Sequence, residues 1–147
     1  MRAVVDANPL VSFLLTLSST SPIFFILRAA IAGPFRMLVA SETIGEVRDT
    51  TAKKPYLAAR ISDRDIGTLL RTLRSIADIL PALTETIPVV CRDRKDDYLL
   101  AHAARAQADY LITGDYDPLV LGNHAGVEII SPSAFIERLG RVARDDR

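Results

Sequence analysis

A chain of 147 residues, 49% hydrophobic and with a mean hydropathy of +0.20, can bury roughly two thirds of its unfolded surface, so one compact domain over residues 1–140 and a polar tail at 141–147 are expected. Lys+Arg and Asp+Glu balance at 18 each, which excludes bulk positive charge as the means of holding a nucleic acid and leaves a local basic patch for that purpose. The single cysteine, Cys91, excludes an intramolecular disulfide and fits a reducing, cytoplasmic setting.

In chain order, "RAVVDAN" (Arg2 to Asn8) reads as a short β-branched strand ending at Asp6, with Asn8-Pro9 starting a helix through Leu17. A second helix is predicted from about Pro22 to Ala32 and stops at Gly33-Pro34. The apolar region holding both helices is not a membrane span, because Ser18, Ser19, Thr20, Ser21 and Pro22 interrupt it and Arg28 charges its second half. Asp6 also stands where a secretory leader would become apolar. "FRMLVAS" (Phe35 to Ser41) is the next strand, and Ser41 is placed to cap a helix from Glu42 to about Lys53.

Ser62 and Asp65 form an acidic variant of the capping box, and Ile66, Leu69, Leu70, Leu73, Ile76, Ala77 and Leu80 mark one face of a helix that Pro81 ends. "IPVVC" (Ile87 to Cys91) is extended, and Leu99, Leu100, Ala103 and Ala104 stripe the helix after "CRDRKDD". "DYLIT" (Asp109 to Thr113) and "GVEII" (Gly126 to Ile130) are strands. "SPSAFIERLG" is the last helix, with Ser131 as its cap and Pro132 at its first position. This alternation implies a parallel α/β sheet.

The acids fall at particular places on that plan. Asp6 ends the first strand, Asp115 follows "YLIT" through a glycine, and Asp96 and Asp97 open the helix leading into it. Glu42 and Glu46 lie one turn apart on the helix after the second strand. Ligands of open parallel sheets bind outside the carboxyl ends of the strands, so all these acids can reach one crevice. Two like charges 4 Å apart repel by about 4 kcal/mol at an effective dielectric of 20, so such a group either protonates or holds a cation. All-oxygen ligands suit Mg²⁺ or Mn²⁺, whereas one Cys and two His are too few for a closed zinc site. An ion held by carboxylates mostly serves phosphoryl chemistry.

Each acid also has an ordinary alternative. Asp6 fits a helix cap, Asp93 with Asp96 has capping-box spacing, Glu42 and Glu46 fit an exposed helix face, and Asp115 and Asp117 in "GDYDP" are turn-formers. His102 lies off the face of Asp96 and is assigned to packing or solvent contact. Cys91 reads as core, and Ser12 and Ser18 lack the partners of a hydrolase triad.

Taken together these segments resemble PIN domains, and within them the VapC-like toxin components of prokaryotic toxin–antitoxin pairs. The resemblance rests on "VVDANPLVS", "VASETIGEV", "CRDRKDDYLLAHAARAQADYLITGDYDPL" and "GVEIISPSAFIERL", in that order over nearly the whole chain. It implies a three-layer α/β/α sandwich with a central parallel sheet and a metal-dependent ribonuclease. Carried over by position, it assigns Asp6, Glu46, Asp96 and Asp115 to an acidic quartet binding Mg²⁺ or Mn²⁺, with Asn8 and Thr113 in support. Asp117 and Asp93 stand as auxiliary acids, and Glu46 is favoured over Glu42; Asp97, in support, would exchange roles with Asp96 if the helix began one residue later.

Ala7 stands where the family often has a hydroxyl residue. Arg92, Arg94 and Lys95 are assigned to RNA phosphates, or otherwise to pairing with the neighbouring acids. The implied partners are RNA, a small antitoxin protein and a second copy of the chain, the last two on the apolar helices of the first third. The rival readings are a PIN-fold binding module with an eroded site, and a phosphoacceptor domain. Asn8 argues against the second, standing where one such fold needs an aspartate.

Overall fold

The computed structural model describes residues 1–17 and 20–145. Ser18 and Ser19, part of the expected interruption, lie outside the described residues, as do Asp146 and Arg147 of the tail. The elements are β1 (Arg2–Val5), α1 (Ala7–Thr16), α2 (Pro22–Ala32), β2 (Arg36–Ala40), α3 (Ser41–Lys53), α4 (Pro55–Arg60) and α5 (Asp63–Ile76). They continue with β3 (Asp78–Leu80), α6 (Arg94–Arg105), β4 (Tyr110–Ile112), α7 (Tyr116–Leu121), β5 (Asn123–His124), β6 (Val127–Ile130) and α8 (Pro132–Asp145).

The sheet order is β3-β2-β1-β4-β6-β5. All neighbours are parallel except β5, which runs antiparallel to β6. The chain builds outward from β1 through β2 to β3, then returns to place β4 on the other side of β1. The strand order therefore reverses between β1 and β4, and a crevice opens outside their carboxyl ends.

Period-two alternation sends the strand residues to two cores. Ala3, Val5, Met37 and Val39 pack with Leu10 and Leu14 of α1, Ile26 of α2, Leu70 and Leu73 of α5 and Phe135 of α8. Val4, Leu38 and Leu111 face Leu99, Leu100 and Ala103 of α6 on the other side, with Cys91 half-buried against that core. The result is the expected α/β/α sandwich.

Ser21 and Ser62 cap their helices, accepting from the N–H groups of Phe24 and Asp65, and Gly33 closes α2 in the left-handed conformation at φ 96°. Only glycine adopts that conformation without steric cost. No helix among the described residues is long and apolar enough to cross a membrane.

Several local expectations are corrected. Ser41 is the first residue of α3 and not its cap; its hydroxyl donates to the Leu80 carbonyl at 2.8 Å, tying α3 to β3. The helix expected to run to Leu80 ends at Ile76, because Asp78–Leu80 pairs with Leu38–Ala40 as an edge strand. A forked ion pair between Arg36 and Asp78 fixes that register. Ile87–Cys91 joins no ladder, and α4, α7 and β5 have no counterpart in the expected elements. The last helix runs through Asp145 and takes in most of the stretch expected as a tail.

Candidate metal centre

Asp6 sits where β1 has just ended and α1 begins. Its N–H donates to the Ile112 carbonyl at 2.9 Å, extending the β1–β4 ladder by one rung. Its side chain is fully buried: Oδ1 accepts from the Ala7 N–H at 2.6 Å and Oδ2 from the Thr113 hydroxyl at 2.7 Å. The cap and the site are thus one carboxylate.

Across the switch point, the exit of β4 is built around Thr113 and Asn8. Thr113 Oγ1 also accepts the Asp115 N–H at 3.0 Å. Asn8 Oδ1 accepts the Gly114 N–H at 3.1 Å while its Nδ2 donates to Asp115 Oδ1 at 2.6 Å. These bonds aim the second oxygen of Asp115 inward.

The third acid comes from the start of α6. Asp93 caps that helix, accepting from the Lys95 N–H at 3.1 Å, and Asp96 lies in the buried first turn, where the helix dipole favours a carboxylate. Oxygens of Asp6, Asp96 and Asp115 all lie within 4.8 Å of one another. Asp96 Oδ1 and Asp115 Oδ2 are buried without any hydrogen-bond donor.

Charge crowding shows in the acidities. Burial first, then the neighbouring Asp115 and Glu46 charges, push Asp6 up to about 7 against the hydrogen bonds of Thr113 and Ala7. Burial and Asp115 likewise push Asp96 up to about 6. Three converging carboxylates, two buried and one half-buried, with two of their buried oxygens lacking a hydrogen bond, are an all-oxygen set whose ligand type fits a hard divalent cation.

The remaining predicted residues divide. Glu46 is at the rim, its Oε1 accepting from Lys95 Nζ at 3.0 Å, and that ammonium lies 3.7 Å from Asp115 Oδ2. The Glu46, Asp115 and Asp6 charges hold the Lys95 ammonium firmly protonated despite its partial burial. Glu42 points elsewhere, accepting from the Leu83 N–H at 3.1 Å and lying 2.9 Å from His102 Nε2. Asp97, buried one residue beyond Asp96, accepts the N–H groups of Val90 and Cys91 at 3.0 and 2.7 Å and so fastens the preceding loop.

Asp117 is outside the three-acid group and forms a forked pair with Arg92 at 2.8 and 2.9 Å. Arg94 donates to the Ile87 carbonyl, lies 3.7 Å from Asp97 and stacks over Tyr98. All three cations expected to meet RNA therefore already have acidic partners. The Glu42–His102 contact joins residues 60 apart in sequence, and nothing in the local pattern signals it. His102 is buried among protein groups and not in contact with solvent.

The parallel α/β sandwich thus gathers three carboxylates outside its switch point, where ligands of such sheets bind. The chain belongs to the PIN domain family, which matches residues 2–117. In fold it is similar to a chain in the crystal structure of VapBC2 from Rickettsia felis bound to a DNA fragment from their promoter. That likeness has a TM-score of 0.60 at 12% identity and covers 89% of this chain and 98% of that one. No curated protein sequence matches it.

Proposed function

We propose that the chain is a metal-dependent endoribonuclease and the toxin of a toxin–antitoxin pair. One observation carries the reading: Asp6, Asp96 and Asp115 bring oxygens within 4.8 Å of one another, and Asp96 and Asp115 each keep a buried oxygen without a hydrogen bond. Membership of the PIN domain family supports the nuclease reading, and the likeness to VapBC2 supports the toxin–antitoxin setting. Asp6, Asp96 and Asp115 would hold Mg²⁺ or Mn²⁺, with Glu46 and Lys95 at the rim. Such an ion supplies an activated water and offsets charge on the phosphodiester.

The chain's own residues do the positioning. Thr113 and Asn8 fix the rotamers of Asp6 and Asp115, which keeps the acids from collapsing onto other donors. Lys95, on the same helix as Asp96, stands where a scissile phosphate would approach, and its ammonium has further donors for a phosphate oxygen beside the one given to Glu46. An antitoxin would find exposed apolar side chains at Leu17, Phe25 and Ile31. The test is cleavage of a mixed RNA pool with Mn²⁺, comparing wild type with Asp96→Asn and Asp115→Asn. Loss of cleavage in both variants supports the reading, and undiminished cleavage in either sinks it.

A further inference from the structure

Beside the carboxylates, between α3 and α6, runs a groove of about 580 Å³ whose near end is formed by Glu46 and Lys95 and whose far end reaches Lys53 and Lys54. Three features of it bear on what it could hold.

Gly45 lies inside α3, where glycine destabilises a helix relative to alanine. A Cβ there would meet nothing within 4 Å, so packing does not demand glycine; the missing side chain leaves the groove open. Lys53 and Lys54 have no acidic partner among the described residues, unlike Arg92, Arg94 and Lys95. Tyr98 presents an aromatic wall, with the Arg94 guanidinium 5.5 Å from its ring centroid.

We propose that this groove seats the nucleotide next to the scissile phosphate of a single-stranded RNA, an inference that rests on the nuclease reading. The base lies over Gly45 against Tyr98, because stacking on an aromatic ring is open to every base. The adjoining phosphate lies on Lys53 and Lys54. Two helical turns separate Glu46 from Lys53, about 10.5 Å along α3, so a strand with one phosphate at the carboxylates carries a neighbouring one toward the lysines. The groove's acids are compatible with this arrangement. Glu42 is occupied by His102 and the Leu83 N–H, and Glu46 by Lys95. Asp49 is exposed and offers an acceptor to a base amino group while keeping phosphate away from that stretch.

The test is fluorescence anisotropy of a 5′-labelled, mixed-sequence RNA octamer with the full chain in EDTA, where binding is read apart from cleavage. Mn²⁺ affinity and thermal midpoint are measured on the same variants. Tyr98→Leu should weaken binding about 5- to 150-fold, the range for loss of one stacked base, while Tyr98→Phe retains it. Gly45→Leu should weaken RNA binding without lowering the thermal midpoint, since leucine favours a helix. Lys53→Gln with Lys54→Gln should flatten the slope of log affinity against log salt by about 0.7 for each lost phosphate contact. All these variants should bind Mn²⁺ as wild type does.

RNA affinity unchanged in the Gly45, Tyr98 and lysine variants overturns the groove while leaving the metal reading standing. Displacement of the RNA by an oligoglutamate peptide with the same variant dependence overturns it in favour of an acidic protein partner. Loss of Mn²⁺ binding by Asp115→Asn, or its persistence, judges the nuclease reading separately.

Discussion

Asn8 grips Asp115 from the far side of the switch point: its Nδ2 donates to Asp115 Oδ1 at 2.6 Å while its Oδ1 accepts the N–H of Gly114. Two residues that are 107 apart in sequence thus fix each other, and Thr113 does the same between Asp6 and the Asp115 backbone. Ala7 has no hydroxyl to offer Asp6, yet both carboxylate oxygens are served, Oδ2 by the Thr113 hydroxyl and Oδ1 by the Ala7 N–H.

Removing these supports should loosen the site without unfolding the chain. Thr113→Val and Asn8→Ala should each weaken Mn²⁺ binding by about 10- to 100-fold, as is typical for residues that orient metal ligands. Calorimetric titration of Mn²⁺ into the metal-free protein checks this, and wild-type affinity in both variants would refute the supporting role.

Stability should depend on pH in an unusual direction. A carboxyl whose pKa is raised by folding binds its proton more tightly folded than unfolded. Between the ordinary value of 3.8 and the folded values of about 7 for Asp6 and about 6 for Asp96, the folded chain therefore holds more protons, and stability falls as pH rises. Asp78 and Asp117, held low by their Arg partners, act in the opposite sense and only below the ordinary carboxylate range. In EDTA the thermal midpoint should decline from pH 5 to pH 8, and Asp6→Asn should flatten the decline. Mn²⁺ should offset it at high pH, where the acids are ionised. A midpoint that rises with pH in EDTA would count against the assignment.

Lys95 stands as the protein's own cation beside the acids, 3.0 Å from Glu46 and 3.7 Å from Asp115. Replacing it with methionine should tighten Mn²⁺ binding by up to about fivefold, since ion pairs as open to solvent as this one contribute about 0.2–1 kcal/mol. The same variant should bind RNA less well. Weaker Mn²⁺ binding in Lys95→Met would show that the ammonium organises the acids and does not compete with a metal.

Phe135 anchors α8, the helix beyond the stretch that matches the family. Its ring is fully buried and meets Phe35 and Tyr110 edge-on, with centroids 5.0 and 5.4 Å away. Phe135→Ala should cost about 3–5 kcal/mol, read by urea denaturation. A loss under 1 kcal/mol would mean that α8 adds little to the core.

Much of this was legible in residue pattern. Runs such as "RAVV" and "RMLVA", separated by segments of helical period, specify a parallel α/β plan, and Ser62 and Ser131 mark helix starts. What pattern missed was decided by distant partners. Asp78–Leu80 continues the apolar spacing of α5, yet the vacant edge of β2 and the charge of Arg36 draw it into the sheet. At six residues each, α4 and α7 are too short to show a period.

The site was legible as acids at strand ends, but its exact members were not. Asp96 and Asp97 are chemically alike, and only the N–H groups of Val90 and Cys91, which claim Asp97, separate their roles. Glu42 is likewise separated from Glu46 by His102 and Leu83, residues the local sequence does not connect to it.

The most direct test is Mn²⁺ titration of the metal-free protein near pH 8, followed by electron paramagnetic resonance, for wild type and Asp115→Asn. Saturable binding by wild type that is lost or strongly weakened in the variant is the predicted result. Equal binding by the two proteins, or none by wild type, would contradict the claim that Asp6, Asp96 and Asp115 form a metal centre.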